Sequence, residues 1–164
     1  MSKPKEASQL EIRLAEPGEE KVIASVIFAA FLPFKSEYTP DAFEYTAASA
    51  NRIRERFVEG PIWLAFAGSE AVGTVSGLPE SERFYIRSMA VKPEAQGSGV
   101  GQELLDVLET HARDARFEKL YLYTTHVLPG AMRLYEKNGY YVVRETGPEE
   151  WYGMPGLEME KKLN

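Results

Sequence analysis

The sequence predicts one α/β (α+β) domain with a mixed, mostly antiparallel sheet. Short strand patterns alternate with helical patterns from residue 10 to the end, and no linker interrupts them. One strand, a Gly-rich turn, a helix and a second strand follow one another over residues 83–125, a β-α-β step whose strands run parallel through a right-handed crossover. The element order reads β-α-α-β-β-β-α-β-α-β-β.

Residues 1–8 are polar and read as a loose arm, leaving 9–164 as the domain. "LEIRLAE" (10–16) alternates and reads as a strand. Pro17 suits the first turn of a helix, and Glu19 and Glu20 suit its positive end. Val22, Ile23, Val26, Ile27 and Ala30 carry that helix to Phe31. "LPFKSEY" (32–38) reads as an aromatic loop. Thr39 before Pro40 and Asp41 is an N-cap signal for a helical region that runs to Val58, with a break near Ser49. Gly60-Pro61 stops it. "IWLAFA" and "AVGTVS" read as a hairpin around Gly68-Ser69-Glu70, and "RFYIRSMAV" (83–91) as the next strand. Leu104, Leu105, Leu108, Ala112 and Ala115 form one helical stripe. "KLYLYTT" (119–125) is a strand, and "PGAMRLYEKNGY" a helix closed by Asn138-Gly139. "YYVVRE" and "GLEMEKKL" are the last strands.

Composition narrows the function. The net charge of −6 argues against general nucleic-acid binding, which needs an excess of Lys and Arg. The absence of cysteine removes disulfides, Cys-type zinc sites and a cysteine nucleophile, and fits a reducing cytoplasmic setting. The two histidines, His111 and His126, give no zinc spacing, so no metal is expected. The first residues lack the apolar core of a signal peptide. No apolar run approaches the ~20 residues that cross a bilayer, so no membrane partner is expected.

The chemistry-bearing stretch is "AVKPEAQGSGVGQELL" (90–105). Gly97, Gly99 and Gly101 stand between a strand and a helix start. A helix N-terminus offers unpaired N–H groups and partial positive charge, and glycine lets a ligand approach them, so a phosphate or pyrophosphate is the natural guest. The Walker A string is absent, and the dinucleotide fingerprint fails because positions 102 and 104 are Gln and Leu. Ser98 is not a nucleophile-elbow serine, since positions 96 and 100 are Gln and Val. What fits is Gln-x-x-Gly-x-Gly at Gln96, Gly99 and Gly101.

"MAVKPEAQGSGVGQELL" resembles the acetyl-CoA binding segment of the GNAT N-acetyltransferase family, and "AMRLYEKNGYYVV" resembles the helix and strand that follow in it. The element order is similar over about residues 10–162. The resemblance implies a pyrophosphate on the turn from Gln96 through Gly97, Ser98, Gly99, Val100 and Gly101 to Gln102. It implies a pantetheine arm along the backbone of Met89, Ala90 and Val91, where the parallel strands splay apart. It implies Tyr135 as the acid that protonates the departing thiolate; by spacing alone Tyr135 would be a core aromatic. Dimerisation is also a family expectation, and Trp151, Tyr152, Met154 and Pro155 read as an exposed patch suited to it.

Two departures from the family stand out. Near Leu128 many members have an Asn that touches the cofactor. At Tyr85 some have a Glu that serves as base. The base therefore stays open among Glu37, Asp41, Glu44 and a water chain. For the acceptor, Tyr85, Arg87 and Met89 share one strand face by period two. Arg87 reads either as a partner for a substrate carboxylate or as one half of a surface ion pair. Phe31, Phe34, Tyr38 and Phe43 read either as an acceptor wall or as core. The expected function is acetyl transfer from acetyl-CoA to a primary amine of a small molecule or peptide, by direct attack in a ternary complex. A non-catalytic coenzyme A binding module, or a partner subunit with the same fold, is the alternative.

Overall fold

A computed structural model describes residues 9–163, so the predicted arm 1–8 lies outside the described residues. The strands are β1 (Leu10–Leu14), β2 (Ile62–Ala67), β3 (Glu70–Glu80), β4 (Arg83–Val91), β5 (Lys119–Thr124), β6 (Tyr141–Thr146) and β7 (Gly156–Lys162). They form one sheet in the order β1-β2-β3-β4-β5-β7-β6. Among the described residues only β4 and β5 pair in parallel. The helices are α1 (Glu20–Phe31), α2 (Pro40–Thr46), α3 (Ala50–Arg56), α4 (Val100–Asp114) and α5 (Pro129–Lys137). The expected mixed α/β architecture is present, with differences in detail.

Pro17 sits in a turn ahead of α1, not in its first turn, because Glu19 is the N-cap and Gly18 adopts φ 104°. The aromatic stretch 32–37 is a 3-10 helix rather than an open loop. The region 40–58 is two helices. Thr39 Oγ1 accepts from the Ala42 amide at 3.1 Å and starts α2; Ser49 Oγ accepts from the Arg52 amide at 3.2 Å and starts α3. The strand predicted as "AVGTVS" runs on to Glu80, since Pro79 falls near its end where a missing N–H is tolerated.

Two apolar layers clamp the sheet. On one face Leu104, Leu105 and Leu108 of α4 pack with Phe84, Leu120 and Met159. On the other, Ile23 and Ile27 of α1 and Ile53 of α3 pack with Ile62 and Leu64 of β2. Each fully buried aliphatic side chain contributes about 1.5–3 kcal/mol. The amphipathic stripe on α4 is buried as its spacing predicts from Leu104 to Ala112, whereas Ala115 lies past the helix end and is exposed. The first layer also holds a charge. Glu109, 4% exposed, accepts from Tyr140 Oη at 3.0 Å and from Lys161 Nζ at 2.9 Å, tying α4 to β7.

Two outcomes follow from these contacts. Glu109→Ala strands Lys161 and Tyr140 in a half-dry site and should lower stability by about 3 kcal/mol in urea unfolding. The second concerns Glu19, whose carboxylate accepts two bonds from Arg13 at 2.8 Å. The Arg13 bond chiefly holds its pKa at about 2, down from 4.5. A depressed carboxylate stabilises the fold fully above its unfolded value and loses that contribution as pH falls toward the folded one. Glu19→Gln should therefore flatten the decline of stability between pH 4.5 and about 2 relative to the parent.

Candidate active site

The site is built on a failure of pairing. β4 and β5 are in register at Arg83–Lys119, Phe84–Leu120 and Tyr85–Tyr121, and pairing ends there although both strands continue. A bulge accompanies the parting. On β3 Thr74 faces Ala90 and Ser76 faces Arg87, so Val75 alone opposes Ser88 and Met89. Ser88 takes the left-handed conformation, φ 55°, and Ser76 Oγ braces the kink by donating to the Arg87 carbonyl at 3.0 Å.

This extra residue resets the alternation. Met89 packs against the α4 layer and Ala90 belongs to the α1 layer. The period-two expectation that Met89 shares a face with Tyr85 and Arg87 is therefore corrected. Beyond Tyr85 the β5-side edge of β4 carries unpaired backbone groups, at the level of Met89, Ala90 and Val91. Gln96 Nε2 already donates to the Val91 carbonyl at 3.0 Å.

The Gly-rich turn stands at the end of this open edge. Gly97 (φ 81°) and Gly99 (φ 90°) are left-handed, and a Cβ on either would meet nothing. Gly101 is different: its Cβ would press on Leu134 of α5 at 3.3 Å, so it sets how closely the helices approach. Glu103 N–H makes the first intrahelical bond of α4, to the Gly99 carbonyl at 3.0 Å. Among the described residues, none of the N–H groups from Gly97 through Gln102 finds a backbone acceptor. The Ser98 hydroxyl bonds back to the Ala95 carbonyl. The Gln102 side chain bridges to Asn138 at the end of α5, at 2.8 Å. Those two side chains shape the turn and leave its backbone donors without a backbone partner.

A cleft of about 910 Å³ opens where the strands part. Residues from both faces of the sheet line it: Ile86, Tyr135 and Ala131 from the α4–α5 side, Phe31 and Tyr38 from the α1 side. The gap thus connects the two faces. Tyr135 is 5% exposed and packs edge-to-face on Tyr140 at 5.6 Å. Burial, with a smaller push from nearby Tyr85, raises its phenol well above the usual range, so it is protonated at neutral pH. Tyr85 stacks on Tyr121 at 4.9 Å and is also held neutral by burial.

The other expected residues fall as follows. Arg87 lines the cleft and donates to Glu59 at 2.8 Å. Tyr38 lines it between Phe31, Phe43 and Trp151. Phe34 packs on the α1 layer away from the cleft lining, and Phe43 lines a separate, smaller hollow. Leu128 lines the cleft with no polar group to offer. Glu37, Asp41 and Glu44 do not line it; its carboxylates are Glu80, Glu149 and Glu150. Glu80 accepts from the Tyr121 hydroxyl, and Glu150 is committed to Arg144. His126 is exposed and outside the lining.

The patch expected around Trp151 is free surface only in part: Tyr152 and Pro155 are exposed, Trp151 is half-buried and Met154 is buried. The segment between β6 and β7 folds back over the site, with Trp151 against Tyr38 (5.8 Å), Tyr152 against Tyr45 (5.1 Å), and Met154 buried. Thr39 Oγ1 donates to the Tyr152 carbonyl at 2.6 Å. Sequence reasoning missed this cover, and it missed Arg56. Arg56 stands three residues after Ile53, on the buried side of α3, and lines the cleft at 3% exposure. That i, i+3 spacing from an apolar residue was the available signal.

Comparison with known proteins agrees with this geometry. The profile of the Acetyltransferase (GNAT) family matches residues 25–140, and the chain belongs to that family. It is similar to N-acetyltransferase 8B of Rattus norvegicus, 27% identical over 101 residues, covering 58% of this chain and 46% of that protein. The chain spans about half the length, or less, of the curated relatives it matches. Its fold is similar to that of PaiA N-acetyltransferase from Thermoplasma acidophilum in complex with coenzyme A, with TM-score 0.81, 19% identity, and 94% and 99% of the two chains covered. It is also similar to the ribosomal-protein-S18-alanine N-acetyltransferase from Escherichia coli, with TM-score 0.72, 14% identity, and 95% of each chain covered.

The left-handed turn is directly testable. Gly99→Val puts a β-branched residue at φ 90° and should cost about 1–2 kcal/mol in urea unfolding, whereas Gly99→Asn should cost less.

Proposed function

We propose that this protein transfers an acetyl group from acetyl-CoA to a primary amine of a small molecule or peptide. The observation that carries the reading is the run of free amides from Gly97 through Gln102, set at one end of the open β4 edge with Tyr135 in the same cleft. Six backbone donors without a backbone partner at a helix N-terminus suit a pyrophosphate. The unpaired edge at Met89, Ala90 and Val91 suits an extended amide-bearing arm, which adds to it as a strand would. The residues present therefore fit coenzyme A without any side-chain ligand.

Acetyl-CoA supplies an activated thioester carbonyl. The chain's task is to hold that carbonyl in the cleft beside the amine, which gains rate from proximity alone. The amine nitrogen forms the new C–N bond as the C–S bond breaks. Tyr135 gives its phenolic proton to the leaving sulfur, and the proton lost by the amine restores the phenol by way of solvent. The phenol is protonated across the neutral range, although burial makes it a weaker proton donor than a free phenol. Transfer is direct, since the sequence has no cysteine to carry an acyl group. Water in the cleft takes the proton of the incoming ammonium.

Among the described residues no helix is long and apolar enough to cross a membrane. We take the protein as cytoplasmic on its cysteine-free composition. We take it as a homodimer on the exposed Tyr141, Val142 and Val143 of the edge strand β6.

Thiol release from acetyl-CoA across a panel of amines, amino acids and peptide N-termini tests the reading. Acceptor-dependent release is expected. Tyr135→Phe should lower kcat by about 100-fold with the affinity for coenzyme A kept within twofold. Binding of coenzyme A with no release from any acceptor would favour a non-catalytic module instead.

A further inference from the structure

The cleft contains a buried cation with no ion-pair partner; Glu59 attracts it only from a distance. Arg56 closes α3 with its side chain 3% exposed, and among the described residues no carboxylate lies within 4 Å of it. Its guanidinium carries five N–H donors, and its one side-chain hydrogen bond runs from Nη1 to Ser88 Oγ at 2.9 Å. Buried charges are ordinarily paired. The neighbours make matters worse. Burial, followed by the nearby Arg87, pushes the Arg56 pKa down to about 10, which still leaves it charged at neutral pH. Arg87 has its own partner in Glu59, and Arg83 lies over the Tyr121 ring at 3.9 Å.

A second observation falls in the same place. Among the described residues two buried side-chain polar atoms lack any hydrogen-bond partner: Thr46 Oγ1 and Arg87 Nε. Both residues line the cleft that Arg56 lines. Orphaned buried polar atoms are uncommon and call for a partner. The residues that carry these orphans and the guanidinium without an ion-pair partner thus line one cavity. A planar anion in the cleft would pair with the Arg56 guanidinium.

We infer that Arg56 binds a carboxylate of the acceptor, so that the amine acetylated here belongs to an amino acid or another small amine bearing an acid group. This rests on the acetyl-transfer reading above and narrows its substrate class. A carboxylate can accept two parallel bonds from a guanidinium fork and still accept from a third donor. An acceptor carrying only positive charge would leave Arg56 unpaired and add repulsion.

The test uses the intact protein, acetyl-CoA and acceptors in matched sets: glycine, β-alanine and phenylalanine, each beside its carboxamide and its decarboxylated amine. For the best acceptor, kcat/KM should favour the acid over its carboxamide by at least tenfold. Arg56→Gln should erase that preference by raising KM for the acid. It should leave the carboxamide kcat/KM and the KM for acetyl-CoA within twofold of the parent. Arg56→Lys, which keeps one charge, should retain part of the preference. Equal use of acids and carboxamides by the parent overturns the inference, whether or not the Arg56 variants fold. An equal fall for both acceptor types in Arg56→Gln also overturns it, because Arg56 would then only brace the bulge. Release from neutral amines without acid preference leaves acetyl transfer standing. No release from any acceptor removes acetyl transfer and this inference together.

Discussion

The parting of β4 from β5 after Tyr85 is the constraint on which the rest of the structure depends. A closed sheet would satisfy its backbone groups internally and separate its two faces. Here an extra residue at Ser88, held left-handed, bends β4 away while its pairing to β3 continues on the other edge. The open edge and the passage through the sheet are one feature. It lets the α4–α5 side contribute Tyr135 and the turn, while the α1–α3 side contributes Arg56, Thr46 and Tyr38 to the same cavity.

The bulge has a cost, and two contacts offset it. A non-glycine residue in the left-handed region costs about 1–3 kcal/mol. Ser76 bonds the Arg87 carbonyl beneath the kink, and Arg56 bonds Ser88 above it. The first is a neutral brace. The second brings a buried charge to the site, which a purely structural brace would not need.

Much of this was legible in the sequence, for identifiable reasons. The α4 stripe, the cap at Thr39 and the break near Ser49 are local signals that tertiary packing did not override. The Gly97–Gly101 spacing announces a turn with backbone donors, and the turn is there. The bulge was not legible, because "YIRSMAV" alternates well enough as a plain strand, and only pairing to β3 reveals the extra residue. That hidden residue is why Met89 changed sides. The cover formed by Trp151 and Tyr152 was hidden for a similar reason: its partners Tyr38 and Tyr45 lie more than a hundred residues away in the chain. Phe34 read like its aromatic neighbours, and only the 3-10 geometry of 32–37 turns it from the cleft.

Amide hydrogen exchange with and without acetyl-CoA probes the central claim most directly, since the claim concerns backbone donors. The account predicts new protection at the amides of residues 97–102 and along 89–91, with the β1–β2 edge unchanged. Protection absent from the turn, or centred on another surface while acetyl-CoA binds, would contradict it.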